Sequence, residues 1–293
     1  MASLRDIRKR IVTVKNTRQI TKAMKMVSAA KLKRATDAAV SARPYAGRLA
    51  GLVEQLSAQV TDISHPLLVE PDSSLPIRLI IIASDKRLCG SYNSSLSKAV
   101  DQLLADYRGA GQQVRLVSVG KKGKAYLNRR GLKAEQILTE IAPEEHAALG
   151  RKLAEEGMAA FIRGEISGLY VAFMEFESAL KQTAVIQQVL PITLGEVGEG
   201  ADTSADDALT DYIYEPAQAE LLGLLLPRVV ENRIYKGFLE AVASEHAARM
   251  VAMDNATRNA TELIDKLTLQ YNQARQAAIT TELVEIVSGA EAL

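Results

Sequence analysis

The stretches Met1–Arg43, MASLRDIRKRIVTVKNTRQITKAMKMVSAAKLKRATDAAVSAR, and Phe238–Ser288, FLEAVASEHAARMVAMDNATRNATELIDKLTLQYNQARQAAITTELVEIVS, contain neither glycine nor proline. Both read as single long helices, roughly 65 and 75 Å at 1.5 Å per residue, far beyond the three or four turns of an ordinary globular helix. Helices of that length need a partner along most of one face. In the first, Leu4, Ile7, Ile11 and Val14 step by three and four; after a slip near Thr17 the expected stripe resumes as Ile20, Met24 and Val27. In the second, Ala260, Ile264, Leu267, Tyr271, Ala274 and Ala278 alternate by four and three, and Ile279, Leu283 and Ile286 continue the stripe after a shift. A mean spacing of 3.5 predicts a left-handed coiled coil, with the two ends of one chain pairing antiparallel.

Working inward, Ala29, Ala30, Ala35, Ala38 and Ala39 offer a slim surface. Pro44 and Gly47 threaten the first helix, but Leu49, Leu52, Val53 and Leu56 carry its pattern to about Val60. Thr61–Pro76, with three prolines, reads as a linker. Leu79–Ala83 is an apolar run of strand length, followed by a turn and a helix over Ser94–Tyr107. Val114–Val119 reads as a second strand, leading through Gly120-Lys121-Lys122-Gly123 into a short helix. Pro143 opens a further helix to about Arg163, and Leu169–Glu177 and Thr183–Ile192 read as a hairpin. Alternating strands and helices predict an α/β domain whose sheet is largely parallel, the last pair antiparallel. Gly195–Asp211 reads as a loop; from Glu215-Pro216 the helical pattern returns, with Pro227 expected to kink or break it and Gly237 to weaken it. The fold class is therefore α/β (α+β overall): an antiparallel coiled coil carrying an inserted Rossmann-like α/β domain, with parts at 1–60, 77–195 and 212–288.

Composition bounds the chemistry. Among 293 residues tryptophan is absent, 47% are hydrophobic and the net charge is +1. That near-neutrality hides an uneven distribution, since residues 1–50 carry 13 Lys or Arg against Asp6 and Asp37, a local +11 that leaves −10 for the remainder. Such a basic rod suits an acidic protein surface, nucleic acid or anionic lipid. The single cysteine, Cys89, excludes an internal disulfide and any CxxC motif. No apolar run approaches the ~20 residues that span a bilayer, and neither a signal peptide nor a membrane anchor is expected.

The middle domain invites a nucleotide-enzyme reading, which its motifs do not sustain. Gly120-Lys121-Lys122-Gly123-Lys124 follows a strand but has neither the GxxxxGK[ST] nor the GxGxxG spacing. His65, His146 and His246 form no HExxH or triad pattern, and Cys89 is expected to be a small buried residue. Asp202, Asp206, Asp207 and Asp211 lack the EF-hand order. No catalytic, cofactor-binding or metal-binding residue is expected.

Three blocks are more specific. They are Ile7-Arg8 with Asn16–Val27; Ala243–Met253; and Tyr271–Leu283, the last reading YNQARQAAITTEL. In these, and in Ser84–Gly90, the chain closely resembles the γ-subunit family of bacterial and mitochondrial F-type ATP synthases, in the right order over its whole length. The resemblance implies a non-catalytic central shaft. Its upper part would turn inside a ring of three α and three β subunits, and its lower end would rest with the ε subunit on the c-ring, so that proton-driven rotation is coupled to ATP synthesis or hydrolysis. It implies no cofactor and a peripheral position at the cytoplasmic face of a bacterial inner membrane. By motif match, Met24 faces the acidic lever of a β subunit, Arg275, Gln276, Thr280 and Glu282 contact β loops, and Tyr212 and Glu215 form the foot on the c-ring. Lys25 is added from its charge, and Ile279, Leu283, Ile286 and Val287 are expected to form an apolar bearing tip. The family commonly reads Ser-Asp-Arg-Gly-Leu-Cys-Gly where Lys86-Arg87 stand here, so no function is assigned to that turn. Cys89 alone cannot form the redox cysteine pair of the photosynthetic branch, so regulation must come from elsewhere. Two rivals are a basic coiled coil that binds nucleic acid and a sugar- or nucleotide-modifying enzyme built on residues 77–195.

Overall fold

The computed structural model describes residues 3–59, 65–69, 71–72, 74–193 and 217–291. Its elements are α1 (Leu4–Gln59), β1 (Ile77–Ile82), α2 (Tyr92–Gly109), β2 (Val114–Val119), α3 (Lys121–Arg130), β3 (Gln136–Leu138), a 3₁₀ turn (Pro143–Glu145), α4 (His146–Ile162), β4 (Gly168–Phe176), β5 (Gln182–Leu190) and α5 (Gln218–Glu291). They fall into two compact units, Met1–Ala30 with Arg249–Leu293, and Lys31–Ala248.

The larger unit is built on a five-stranded sheet in the order β3-β2-β1-β4-β5. β1 pairs in parallel with β2 and β4, β2 in parallel with β3, and β5 returns antiparallel to β4 as a hairpin. The central strand is apolar at every position but Arg78, because both faces are covered. Ile80 and Ile82 join a core with Leu153 and Phe161 of α4, Val53 and Leu56 of α1, and Leu226, Val230 and Phe238 of α5. Leu79 and Ile81 join the opposite core with Leu96 and Val100 of α2 and Leu127 of α3. β3 escapes a sequence reading because its three residues, one of them an exposed Ile137, are too short to show a period.

Pro227 is a correction. α5 runs through it without a break. Proline removes the donor for the carbonyl of Gly223, at about 3 kcal/mol in a helix interior. Leu222, Leu226, Val229 and Val230, all buried on the sheet side, offset that loss. Gly237, expected only to weaken the helix, has a packing reason: a Cβ there would meet Val171, Ile82 and Phe173 at 3.3–3.4 Å, so its absence lets α5 lie close on the sheet. α1 likewise continues through Pro44. The carbonyl left without a donor belongs to Val40, on an exposed side where solvent can satisfy it.

The smaller unit contains the start of α1 and the end of α5. Lys25 Nζ donates to Asp254 Oδ1 at 2.5 Å and Thr257 Oγ1 to Thr21 Oγ1 at 2.8 Å. Four residues forward on one helix correspond to three back on the other, so the pair is antiparallel. Carried along, that register sets Val14 opposite Ile264 and Leu4 opposite Ala274.

Candidate functional site: the helix pair and its free end

The sheet unit offers its own chemistry first. α3 begins where a Rossmann-like fold places a phosphate, after a glycine turn at the carboxyl end of a parallel strand. Gly120 has φ +93°, and a Cβ there would lie 2.2 Å from the Ala83 carbonyl oxygen. The anion position is already filled: Asp85 accepts from the Lys121 N–H at 2.9 Å through Oδ1 and from the Glu140 N–H at 3.2 Å through Oδ2. The Lys121 ammonium pairs with Glu140, whose carboxylate raises its pKa, first through their hydrogen bond. Asp85 therefore caps the helix that a bound phosphate would otherwise use.

The neighbouring turn is equally self-contained. The Ser84 hydroxyl donates to the Lys86 carbonyl at 2.9 Å, and Asn93 Nδ2 donates to Cys89 Sγ at 3.1 Å, leaving Cys89 buried. The left-handed residues here are Leu88 at φ 68° and Gly90 at φ 56°. Arg87 is not among them, so its replacement of the family's usual glycine brings no backbone strain. His146 stacks on Phe238 with ring centroids 5.1 Å apart, and burial holds its pKa below the ordinary value. His65 is lowered by the same cause, and its Nδ1 accepts from the Leu67 N–H. Among the described residues no group of His, Cys, Asp and Glu could hold a metal ion. The Asp202–Asp211 cluster lies outside them.

The helix pair departs from the expected seam at its centre. Leu4, Ile7, Ile11 and Val14 are partly covered as expected, but the seam does not slip at Thr17. It continues in unbroken three-four steps through Arg18, Thr21, Lys25 and Ser28, of which Thr21 is 8% and Ser28 3% exposed. Ile20 and Val27 are 60% and 57% exposed and face outward. Met24 is half-buried beside the seam. Apolar residues one position off the heptad made the slip look necessary; polar pairing removes the need. On α5 the stripe Met253, Thr257, Ala260, Ile264, Leu267, Tyr271 and Ala274 carries the opposing face, and the polar partners Asp254 and Thr257 were not anticipated. An unbroken heptad count that admits polar residues at seam positions would have found them.

The seam ends at Ala274, opposite Leu4. Every residue from 275 to 288 is exposed. This free end holds the sequence-derived contact residues Arg275, Gln276, Thr280 and Glu282, with the Thr280 hydroxyl donating back to the Gln276 carbonyl at 2.9 Å. It also holds Ile279, Leu283, Ile286 and Val287, 48%, 58%, 67% and 56% exposed. Lys25 has part of its charge engaged by Asp254. Tyr212 and Glu215 lie outside the described residues.

A helix pair that ends in exposed apolar residues, and separately a sheet unit whose phosphate position is self-capped, both suit a part of an assembly. The ATP synthase family model matches residues 3–293. ATP synthase gamma chains of Geobacter sp. (strain M21) and Geobacter metallireducens are 45% and 44% identical, each over 100% of this chain and 99% of the relative. The chain belongs to the ATP synthase γ-chain family. A chain of the central stalk and c-ring structure of the Tetrahymena thermophila mitochondrial ATP synthase is 26% identical, with a TM-score of 0.56, covering 81% of this chain and 99% of that one. A rotor chain of the Euglena gracilis enzyme, 19% identical with a TM-score of 0.64, covers 94% of this chain and 98% of that one and shares its fold. As a γ chain the protein is the central shaft of a rotary ATP synthase, coupling rotation to ATP synthesis and hydrolysis. The nucleic-acid-binding reading finds no support. Among the described residues no helix is long and apolar enough to cross a membrane.

Proposed function

We propose that this γ chain is a non-catalytic shaft whose free α5 end turns as a bearing inside the ring of three α and three β subunits. The observation that carries this is the unsheathed end itself. Fourteen consecutive exposed helical residues that include Ile279, Leu283, Val284, Ile286 and Val287 gain little from helix propensity alone and need an apolar surround. An apolar collar offers low friction because it provides no directional hydrogen bonds to break at each step. Arg275, Gln276, Thr280 and Glu282 then meet β loops, and Met24 with Lys25 meets an acidic β lever, to which the +11 of residues 1–50 is complementary.

In this reading residues 1–60 and 212–288 form the shaft, and 77–195 the body that sits with the ε subunit on the c-ring. Tyr212 and Glu215 are the foot, and the complex is peripheral at the cytoplasmic face of a bacterial inner membrane. Each proton crossing 100 mV delivers about 2.3 kcal/mol. An exposed ion pair contributes only about 0–1 kcal/mol, so torque must be shared over many contacts. Serine at Ile279, Leu283, Ile286 and Val287 together tests the bearing in complexes purified from membranes. The expected result is poor assembly or slowed turnover; unchanged assembly and turnover would remove the bearing. Purification without stoichiometric α and β subunits would remove the shaft reading itself.

A further inference from the structure

Around Thr21 the first helix contradicts its own apolar pattern. Ile20, Met24 and Val27 step by four and three and could form a seam, yet the structure turns Ile20 and Val27 to solvent and seats Thr21, Lys25 and Ser28 against α5. The two arrangements differ by one residue position, a rotation of about 100° about the helix axis. Apolar burial alone favours the arrangement that is not seen. The difference lies in polar groups. In the observed rotation Lys25 reaches Asp254 at 2.5 Å and the Thr21 and Thr257 hydroxyls meet at 2.8 Å. Asp254 is itself oriented by Arg258, one turn along α5, and the two cations hold its carboxyl below the usual carboxylate range, Lys25 first.

We propose that Asp254, with Lys25 and the Thr21–Thr257 bond, is a rotational lock. It holds the central stretch of α1 with its polar face on α5, so that Ile20 and Val27, 60% and 57% exposed and seven residues apart on one helix face, are presented outward as an apolar contact strip. Asp254 is thus a positioning residue, acting through α1 and touching nothing beyond the helix pair. A polar pair at a seam position that selects one arrangement against a more apolar competitor is a known use of such pairs in coiled coils. The strip would serve the shaft contacts proposed above, on which its functional consequence rests; the lock stands on the geometry alone.

Disulfide trapping in the assembled complex distinguishes the two rotations. One heptad on from the Thr21–Thr257 bond, Ser28 stands opposite Met250, and in the rotated form Val27 takes its place. In a Cys89→Ser background, Ser28→Cys with Met250→Cys reports the observed rotation, and Val27→Cys with Met250→Cys the alternative. Mild oxidation of the parent is expected to favour the 28–250 bridge. Asp254→Asn should raise the 27–250 yield relative to 28–250 by about threefold, in keeping with the modest energy of a half-exposed pair. Asp254→Glu, which keeps the charge, should retain the parental ratio. An unchanged ratio in Asp254→Asn, or an Asp254→Glu ratio matching that of Asp254→Asn, overturns the lock. ATP-driven proton pumping per ATP hydrolysed, measured on the same Asp254 variants without the cysteines, separates the two readings. A shifted disulfide ratio with unaltered pumping upholds the lock and overturns only its link to the shaft contacts.

Discussion

The sheet unit and the helix pair invert each other's surface logic. In the sheet unit apolar groups lie inside on both faces of β1, and polar groups close on one another: Asp85 caps α3, and Asn93 holds Cys89 and Ser84. In the helix pair the centre of the seam is polar, while Ile20, Val27, Leu283 and Ile286 are outside. Burial is the dominant favourable term for a unit that stands alone. A region that leaves its apolar side chains in water gains less from folding alone, and in the proposed reading other subunits cover them. The difference teaches which part is finished by folding and which by assembly.

That contrast can be broken experimentally. Leu267→Pro should have the largest effect, because it removes a helix hydrogen bond at about 3 kcal/mol or more in a seam with only one other helix to compensate. Loss of assembly or of ATP-driven proton pumping is expected, whereas the native Pro227 is tolerated on a broad core; normal pumping by the variant would erase the distinction. Leu127→Ala comes next. Its side chain is fully buried against α2 and β2, so a cost of about 2–5 kcal/mol should appear as a lower urea midpoint for the chain. The same truncation at Leu283, 58% exposed, should leave the midpoint of the isolated chain nearly unchanged.

A pH titration sharpens the comparison further. Burial first, and then the hydrogen bond its hydroxyl donates to Asp101, push the Tyr126 phenol well above its ordinary pKa. A folded pKa raised in this way contributes stability that is intact below pH 10, the ordinary phenol value, and is lost as pH rises from there toward the folded value. Urea midpoints between pH 9 and 11 should fall less steeply in Tyr126→Phe than in the parent, and equal slopes would contradict this. The smallest effect belongs to Lys33→Ala. One exposed cation among the 13 of residues 1–50 should leave proton pumping mostly intact, since load is shared.

Much of this was legible in the chain. Long stretches without glycine or proline declared the helices, and the apolar run Leu79–Ala83 declared a strand covered on both faces. What escaped shares a cause. Pro227 predicts a kink or a break because local propensity cannot count the core that Leu226 and Val230 enter. β3 was too short to have a period. The seam was misplaced at Ile20 and Val27 because hydropathy ranks residues one at a time, whereas a threonine pair and an ion pair have value only when two distant segments meet.

By itself the sequence determined that two long helices flank an α/β domain, that they pair antiparallel, that the first is strongly basic and that the usual nucleotide-binding motifs are absent. These are properties of spacing, composition and local geometry. Only the tertiary structure decided which face of α1 meets α5, where the seam stops and leaves α5 bare, and that Asp85 occupies the α3 anion position. Each of those depends on a contact between residues far apart in the chain, such as Lys25 with Asp254 or Asp85 with Lys121, and no periodicity within one segment encodes it.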